Sequence, residues 1–479
     1  MLDVGGPQLS RNRWAAFNKL VHRWRGMRYL FTTQVSNDLG LLTRSLPIAN
    51  ELRKRGHQIA FCNPANAPRK LIAEAGFENL LPKHPIYFLN HQLFTDKLNI
   101  AGIFQLLRSK QIKQDFGGMF RFLRELIRVF PKIGSATPEI WSLDHMGVLT
   151  GMLSENFVRS ECKALVQLIT EYGADIVVDS WHPVACMAAR VLQKPLVTIL
   201  QADMHPNNNG FIWWKEAPNN IPSPTPILNR ILAEYGLKPI RKTEDLLVGD
   251  LTLVLGMPET DPLPSHTDAT YIGAILWQKA DAKPPDWFSQ LDKNKPLIWV
   301  YSGNPQYLPI GTPMDSSIVI RSCIAALSKE DVQVVLTTGY HALPKDVLPL
   351  PSNFRYVPYV PGIIMAKRSD LMIHHGGFGS CQTGLFTGTP AVIIPTYSER
   401  ESNARRISAV GAGEYILPTA NRLGTTKHVS PDELRAIVTQ VHSTPLYSEN
   451  AKRISQKLHT FGGVINATRV MEVFSKSKC

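Results

Sequence analysis

At 479 residues, 44% hydrophobic and 19% charged, the chain exceeds what one hydrophobic core usually serves, so two globular domains are expected and disorder is excluded. No uncharged apolar run reaches the roughly 18 residues of a membrane-spanning helix, so none is predicted. The net charge of +13 invites nucleic acid, an anionic membrane or an anionic substrate; the basic residues are spread out and no nucleic-acid-binding motif accompanies them, so nucleic acid is excluded as a partner.

Residues 1–26 read as a basic extension. Between Arg11 and Gly26, Trp14, Phe17, Val21 and Trp24 fall at helical spacing, with Arg11, Lys19, Arg23 and Arg25 elsewhere around the wheel. That is the pattern of an amphipathic helix at a membrane surface, and equally of an extension docked on its own domain or disordered. Residues 27–276 form the first domain. MRYLFTT reads as a strand, LPIANELRKRG as a helix and HQIAFCN as a strand, a βαβ unit of the usual size. DIVVDS, VACMAARVLQ and PLVTIL repeat it. Asn99 to Glu171 is helix-rich, and Pro206 to Pro226 reads as a long surface loop. The polar stretch 277–296 is the linker. Residues 297–447 form a second α/β series: LIWVYSG, a helix near Ser316–Leu327, VQVVLTTG, FRYVPYV, LMIHHGG and AVIIP. Residues 448–479 are helical. Alternating strands and helices predict a doubly wound parallel sheet in each half. The six cysteines lack metal-ligand spacing and read as reduced thiols of a cytoplasmic protein.

The stretch Leu371–Asn403 carries the most chemistry. A buried strand ends at His374-His375, a turn follows at Gly376, Gly377 and Gly379, and Ser380 is expected to open a helix. Glycines let the backbone approach a guest, while first-turn N–H groups and the helix dipole favour negative charge. A phosphate or pyrophosphate is the expected occupant. Its position beyond the carboxyl end of a strand suits a ligand cleft in an open α/β sheet.

The whole block resembles the donor signature of nucleotide-sugar-dependent glycosyltransferases of the GT-B fold, which glycosylate lipophilic acceptors such as sterols, macrolides and flavonoids. The residues carrying the resemblance are His375-Gly376-Gly377-Phe378-Gly379-Ser380, Gly388-Thr389-Pro390, Glu399-Arg400 and Asn403-Ala404. It implies two Rossmann-like domains facing a central cleft, with the last helices packing back across the first domain. It further implies an inverting transfer from a nucleotide diphosphate sugar, with no metal or other cofactor. By the same resemblance Ser302, Gly303, His375, Gly377, Gly379, Ser380 and Asn403 hold the diphosphate, Val360 holds the nucleobase with Tyr359 as a stacking candidate, and Glu399-Arg400 hold the sugar. Asn403 is expected to open a helix, so a capping role is equally open to it.

The chain also departs from the family. The catalytic His that family members carry early in the first domain aligns with Leu41, in Gly40-Leu41-Leu42-Thr43-Arg44, and leucine accepts no proton. Asp38 and Asp179 are the candidate bases, with His182 nearby; an Asx-turn role for Asp38 and a packed role for His182 stand beside them. The ribose-binding Glu is replaced by Thr383, and the usual Asp-Gln pair by Glu399-Arg400. Arginine offers a fork suited to carboxylate or phosphate, so a sugar other than glucose is open. The segment Phe104–Phe130 resembles the helical region lining the acceptor pocket. Two other readings remain: a noncatalytic relative that binds nucleotide or a partner protein, and a nucleotide-sugar epimerase. The expected location is cytoplasmic, with peripheral membrane contact through 11–26 as an option.

Overall fold

The computed structural model describes residues 26–36, 38–82, 139–279, 281–303, 316–339, 341–420 and 427–478. The basic segment 11–26, Gly26 apart, and the helical region 104–130 lie outside the described residues.

The first sheet is built in chain order from β1 (Arg28–Thr33), α1 (Leu42–Lys54), β2 (Gln58–Cys62), α2 (Asn66–Glu74), β3 (Glu78–Asn79), α3 (Leu143–Leu149), α4 (Glu155–Tyr172), β4 (Ile176–Ser180), α5 (Pro183–Val191), β5 (Leu196–Leu200), α6 (Thr225–Glu234), β6 (Leu251–Leu255) and β7 (Thr270–Gly273). Its strands are all parallel, in the order β3-β2-β1-β4-β5-β6-β7. The order reverses between β1 and β4, the switch point outside which ligands bind in such sheets. Buried strands such as IVVDS and LVTIL read as near-continuous apolar runs because helices cover both faces.

The second sheet follows from β8 (Leu297–Tyr301), α7 (Ser317–Leu327), β9 (Gln333–Thr337), β10 (Phe354–Tyr356), α8 (Gly362–Arg368), β11 (Leu371–His374), α9 (Phe378–Thr387), β12 (Ala391–Ile393), α10 (Ser398–Ala409) and β13 (Gly413–Tyr415). It too is parallel, ordered β10-β9-β8-β11-β12-β13, with its reversal between β8 and β11. In that pairing His374 stands opposite Tyr301, so the loops at Ser302-Gly303 and His375-Gly377 leave the sheet side by side. Helices α11 (Pro431–Ser443), α12 (Pro445–His459) and α13 (Gly463–Lys478) complete the chain.

Helix α13 lies on the first domain. Its Ala467 and Met471 are fully buried in the apolar cluster that holds Tyr29, Phe31, Leu42 and Leu46. Ser475 shares a hydrogen bond with Tyr29 Oη at 2.7 Å, and Glu472 pairs with Arg55 at 2.9 Å.

Four local expectations are revised. Helix α1 starts at Leu42, earlier than the predicted segment, and contains Pro47. Its buried face, Leu42, Leu46, Ile48, Ala49 and Leu52, anchors it strongly enough to tolerate one missing backbone bond. The 206–226 segment is not all surface: Phe211 and Ile212 are buried, and Phe211 N–H bonds the Trp141 carbonyl at 2.8 Å. Helix α9 opens at Phe378 with Gly377 as its cap, which leaves Ser380 inside the first turn. Helix α10 opens at Ser398, so Asn403 is an interior residue and not a cap.

Candidate functional site

The site begins where β11 stops. His374 is fully buried, and its Nδ1 accepts from the Gly376 N–H at 3.1 Å, which starts the turn. Burial pushes its pKa down to about 3, so it is a neutral structural residue. His375 lies between the two adjacent loops. A Cβ on Gly303 would come within 2.7 Å of its Cε1, and one on Gly377 within 2.5 Å of its Nε2. Only glycine leaves room for the imidazole at both positions, and Gly303 also takes a positive φ of 66°. The edge of Tyr301 closes a third side, with ring centroids 5.8 Å apart. Burial, then the charge of Arg400, then His374 lower the His375 pKa. Its Nδ1 is buried without a partner.

Helix α9 begins beside this imidazole. Ser380 and Cys381 N–H groups turn back to the Gly377 carbonyl. Gly379 is exposed and a Cβ on it would meet no atom within 4 Å, so there is room beside the first turn. Ser302 is fully buried and its hydroxyl donates to the Gly303 carbonyl at 3.1 Å. Val360 is buried just ahead of α8, and Tyr359 beside it is exposed. Thr383 spends its hydroxyl on the Gly379 carbonyl at 2.8 Å, one turn back in its own helix.

Helix α10 brings the remaining predicted residues into a buried interface between the domains. Asn403 Nδ2 donates to the Gly376 carbonyl at 3.0 Å and to Glu399 Oε1 at 2.8 Å, tying the glycine turn to α10. Arg400 donates to Thr396 Oγ1 and lies 4.9 Å from the Tyr397 ring centroid. Ser398 bonds both backbone groups of Ile140, and Trp213 Nε1 donates to Ser402 at 3.2 Å. Phe378, next to the glycines, is packed in the apolar cluster of the first domain. These contacts hold the two sheets' carboxyl edges face to face.

Three polar residues of that interface escaped the sequence reading. Arg44, one turn into α1, is 7% exposed, donates to Gln201 Oε1 at 2.7 Å, and stacks 4.6 Å from the Phe378 ring centroid. Gln201 in turn donates to Glu399 Oε1 at 3.1 Å. Asp203, fully buried, faces Arg406 at 3.8 Å, and burial pushes its pKa up to about 7. The only signal for Arg44 in the sequence was a charge on the otherwise apolar face of α1.

On the first-domain side, Asp179 is the penultimate residue of β4, opposite Thr32. It is fully buried; one oxygen accepts from Thr32 Oγ1 at 2.6 Å and the other from the His182 N–H at 2.9 Å. Burial raises its pKa. His182 pairs through Nε2 with buried Glu161 at 3.1 Å. Trp181 between them holds a φ of 69°, a strained value for a bulky residue, at the switch point of the sheet. Leu41 is buried at the start of α1. Asp38 is exposed on the β1–α1 loop, and its Oδ1 accepts from the Gly40 N–H at 2.8 Å. Its charge is felt by Arg44 and by Tyr301 of the second domain, so the loop faces the cleft. Asp38 and Asp179 are thus not a pair: one is solvated and the other interior. Among the described residues, no group of three His, Cys, Asp or Glu is arranged to hold a metal ion, and no helix is long and apolar enough to cross a membrane.

Residues 321–460 match the family model described as Erythromycin biosynthesis protein CIII-like, C-terminal domain. The chain is 28% identical over 234 residues to 4'-demethylrebeccamycin synthase of Lentzea aerocolonigenes, covering 49% of this chain and 51% of that protein. It is 23% identical over 331 residues to a PGL/p-HBAD biosynthesis rhamnosyltransferase of Mycobacterium tuberculosis, covering 62% and 67%. The chain spans about half the length of the relatives it matches at 28% identity. Solved structures extend the likeness along the fold. Spinosyn forosaminyltransferase SpnP superposes with a TM-score of 0.64 at 17% identity, covering 94% of this chain and 99% of that one. The calicheamicin glycosyltransferase CalG4 does so at 0.65 and 18%, covering 94% and 98%.

Proposed function

We infer that this chain, a GT-B protein of the UDP-glycosyltransferase-like family, moves a sugar from a nucleotide diphosphate donor to a hydroxyl of a lipophilic small molecule, with inversion. One observation carries the reading: an imidazole wedged between two glycines beside the N-terminus of α9, at the cleft between two parallel sheets. The names of the relatives, a 4'-demethylrebeccamycin synthase and a rhamnosyltransferase, fit a sugar transferred to a natural product or lipid.

In this reading the acceptor hydroxyl loses its proton to a carboxylate as its oxygen attacks the anomeric carbon. The bond from that carbon to the diphosphate oxygen breaks on the opposite face. The charge left on the diphosphate is met by the Phe378 and Gly379 N–H groups that open α9 and by the N–H of neutral His375, with no metal ion required. Glu399 accepts sugar hydroxyls, and Val360 borders the nucleobase. Asp38 is the better-placed base because it is exposed on a loop that faces the cleft, whereas Asp179 is fully buried in the first domain. Asp179 instead braces the loop that carries Trp181 and His182. The noncatalytic alternative rests on the resemblance alone, which aligns Leu41, buried in this fold, with the family's base.

Calorimetric titration with nucleoside diphosphates tests the donor site. His375→Ala is expected to weaken diphosphate binding by about 1–3 kcal/mol while the fold survives. Unchanged affinity in the folded variant, or no binding by the wild type, overturns the assignment. Turnover by the wild type with any donor separates transfer from the noncatalytic reading; turnover only after Leu41→His favours the latter.

A further inference from the structure

We propose that Arg44 is a donor-positioning residue, reaching from the first domain to read an oxygen on the transferred sugar. The proposal rests on the donor site inferred above and adds to it a group that the family signature does not contain.

Arg44 crosses the domain boundary as part of a continuous chain of side chains. Its Nη1 donates to Gln201 Oε1 at 2.7 Å, Gln201 Nε2 donates to Glu399 Oε1 at 3.1 Å, and Asn403 Nδ2 bridges that same oxygen to the Gly376 carbonyl at 2.8 and 3.0 Å. A charge on α1 is therefore connected, through three hydrogen-bonded side chains, to the glycine turn. The guanidinium plane rests on Phe378, the residue between Gly377 and Gly379. Its Nε–H is buried and has no partner, although the side chain is more than nine-tenths buried. A buried guanidinium donor left unpaired is costly, and a ligand oxygen is the natural way to satisfy it. Glu399 is one glutamine away, so a sugar whose hydroxyls reach Glu399 is within reach of Arg44 as well.

Arginine stays charged, so Arg44 cannot take the acceptor's proton; it orients the sugar and does not act as the base. The group it reads is an oxygen substituent of the sugar, either a hydroxyl or a carboxylate. Gln201 and Phe378 join Arg44 to the second domain, which places sugar recognition on the cleft and diphosphate recognition on α9.

The test is calorimetry on the full chain with four kinds of probe: the nucleoside diphosphate alone, its hexose donor, singly deoxygenated hexose donors, and the hexuronic acid donor. Arg44→Gln is expected to lower affinity for the hexose or the hexuronic acid donor by about tenfold, leaving the diphosphate and one deoxy donor unaffected; Arg44→Lys should recover part of the loss. Which of the two donors is affected tells hydroxyl from carboxylate. The ratio of sugar-donor to diphosphate affinity is the readout, because a merely loosened cleft weakens both. If Arg44→Gln fails to fold, Arg44→Lys carries the test through the same ratio. An unchanged ratio in a folded variant overturns the proposal. Failure of the wild type to bind any nucleoside diphosphate overturns the parent reading instead.

Discussion

At the residue scale, His375 is held by absence, since neither Gly303 nor Gly377 has a Cβ to collide with its ring. Gly377→Ala should therefore displace the imidazole and reduce nucleoside diphosphate affinity about as much as His375→Ala, measurable by calorimetry, with the melting temperature changed little. The two aspartates separate by environment. Asp38→Ala is predicted to lower turnover by at least about tenfold with donor affinity intact, the low end of general-base effects. Asp179→Ala strands the Thr32 hydroxyl and the His182 N–H, and is predicted to cost about 1–3 kcal/mol of stability in denaturant unfolding. The opposite pattern, a stable but inactive Asp179→Ala, would exchange their roles. Arg400 was expected to face the sugar. The structure ties it to Thr396 and Tyr397 at the start of its own helix, and its charge is felt by His375.

Elements explain why these residues meet. The parallel register that sets His374 opposite Tyr301 places the glycine turns after β8 and β11 side by side, although more than seventy residues separate them in the chain. Helix α10 is charged in sequence, SERESNARRISA, and reads as a solvated helix; it is buried because both its ends meet the first domain. Helix α13 acts over a longer span. Met471 fills the cluster formed by Phe31, Leu42 and Leu46, so Met471→Ala should destabilise the protein by about 2–5 kcal/mol. A chemical-denaturation curve checks it, and a loss below about 0.5 kcal/mol would mean that the helix packs more loosely than its burial implies.

For the whole molecule, closure is a matter of buried charge. Arg406 spans from α10 to Asp203 and Asp261 at 3.8 and 3.6 Å, beside the chain that runs from Arg44 to Gly376. Burial raises the pKa of Asp203 to about 7, with Arg406 opposing the shift. Its folded pKa is above that of an unfolded carboxyl. Its stabilising contribution is therefore fully present below about pH 4 and is lost as pH rises through about 7. Asp203→Asn should accordingly lose less stability than wild type between about pH 5 and 8, a difference on the order of a few kcal/mol. Melting curves of the two proteins across that range decide it; parallel curves would show that Asp203 does not titrate there. The His374 shift runs the other way and is common to both proteins, so it cancels in the comparison.

The sequence by itself determined the two doubly wound parallel sheets, the glycine turn after β11 and the absence of a histidine at Leu41. These are local matters: strand runs, glycine spacing and residue identity are written in contiguous stretches. It misjudged where α9 and α10 begin, because Gly377 and Tyr397 are weak start signals compared with Ser380 or Asn403. Only the tertiary structure decided that Asp38 is solvated while Asp179 is interior. Only it decided that Arg44, Gln201 and Asp203 join Glu399 and Arg406 across the cleft. Those relations depend on which strand ends face each other once two sheets close, and a charged side chain carries the same letter whether water or another domain surrounds it.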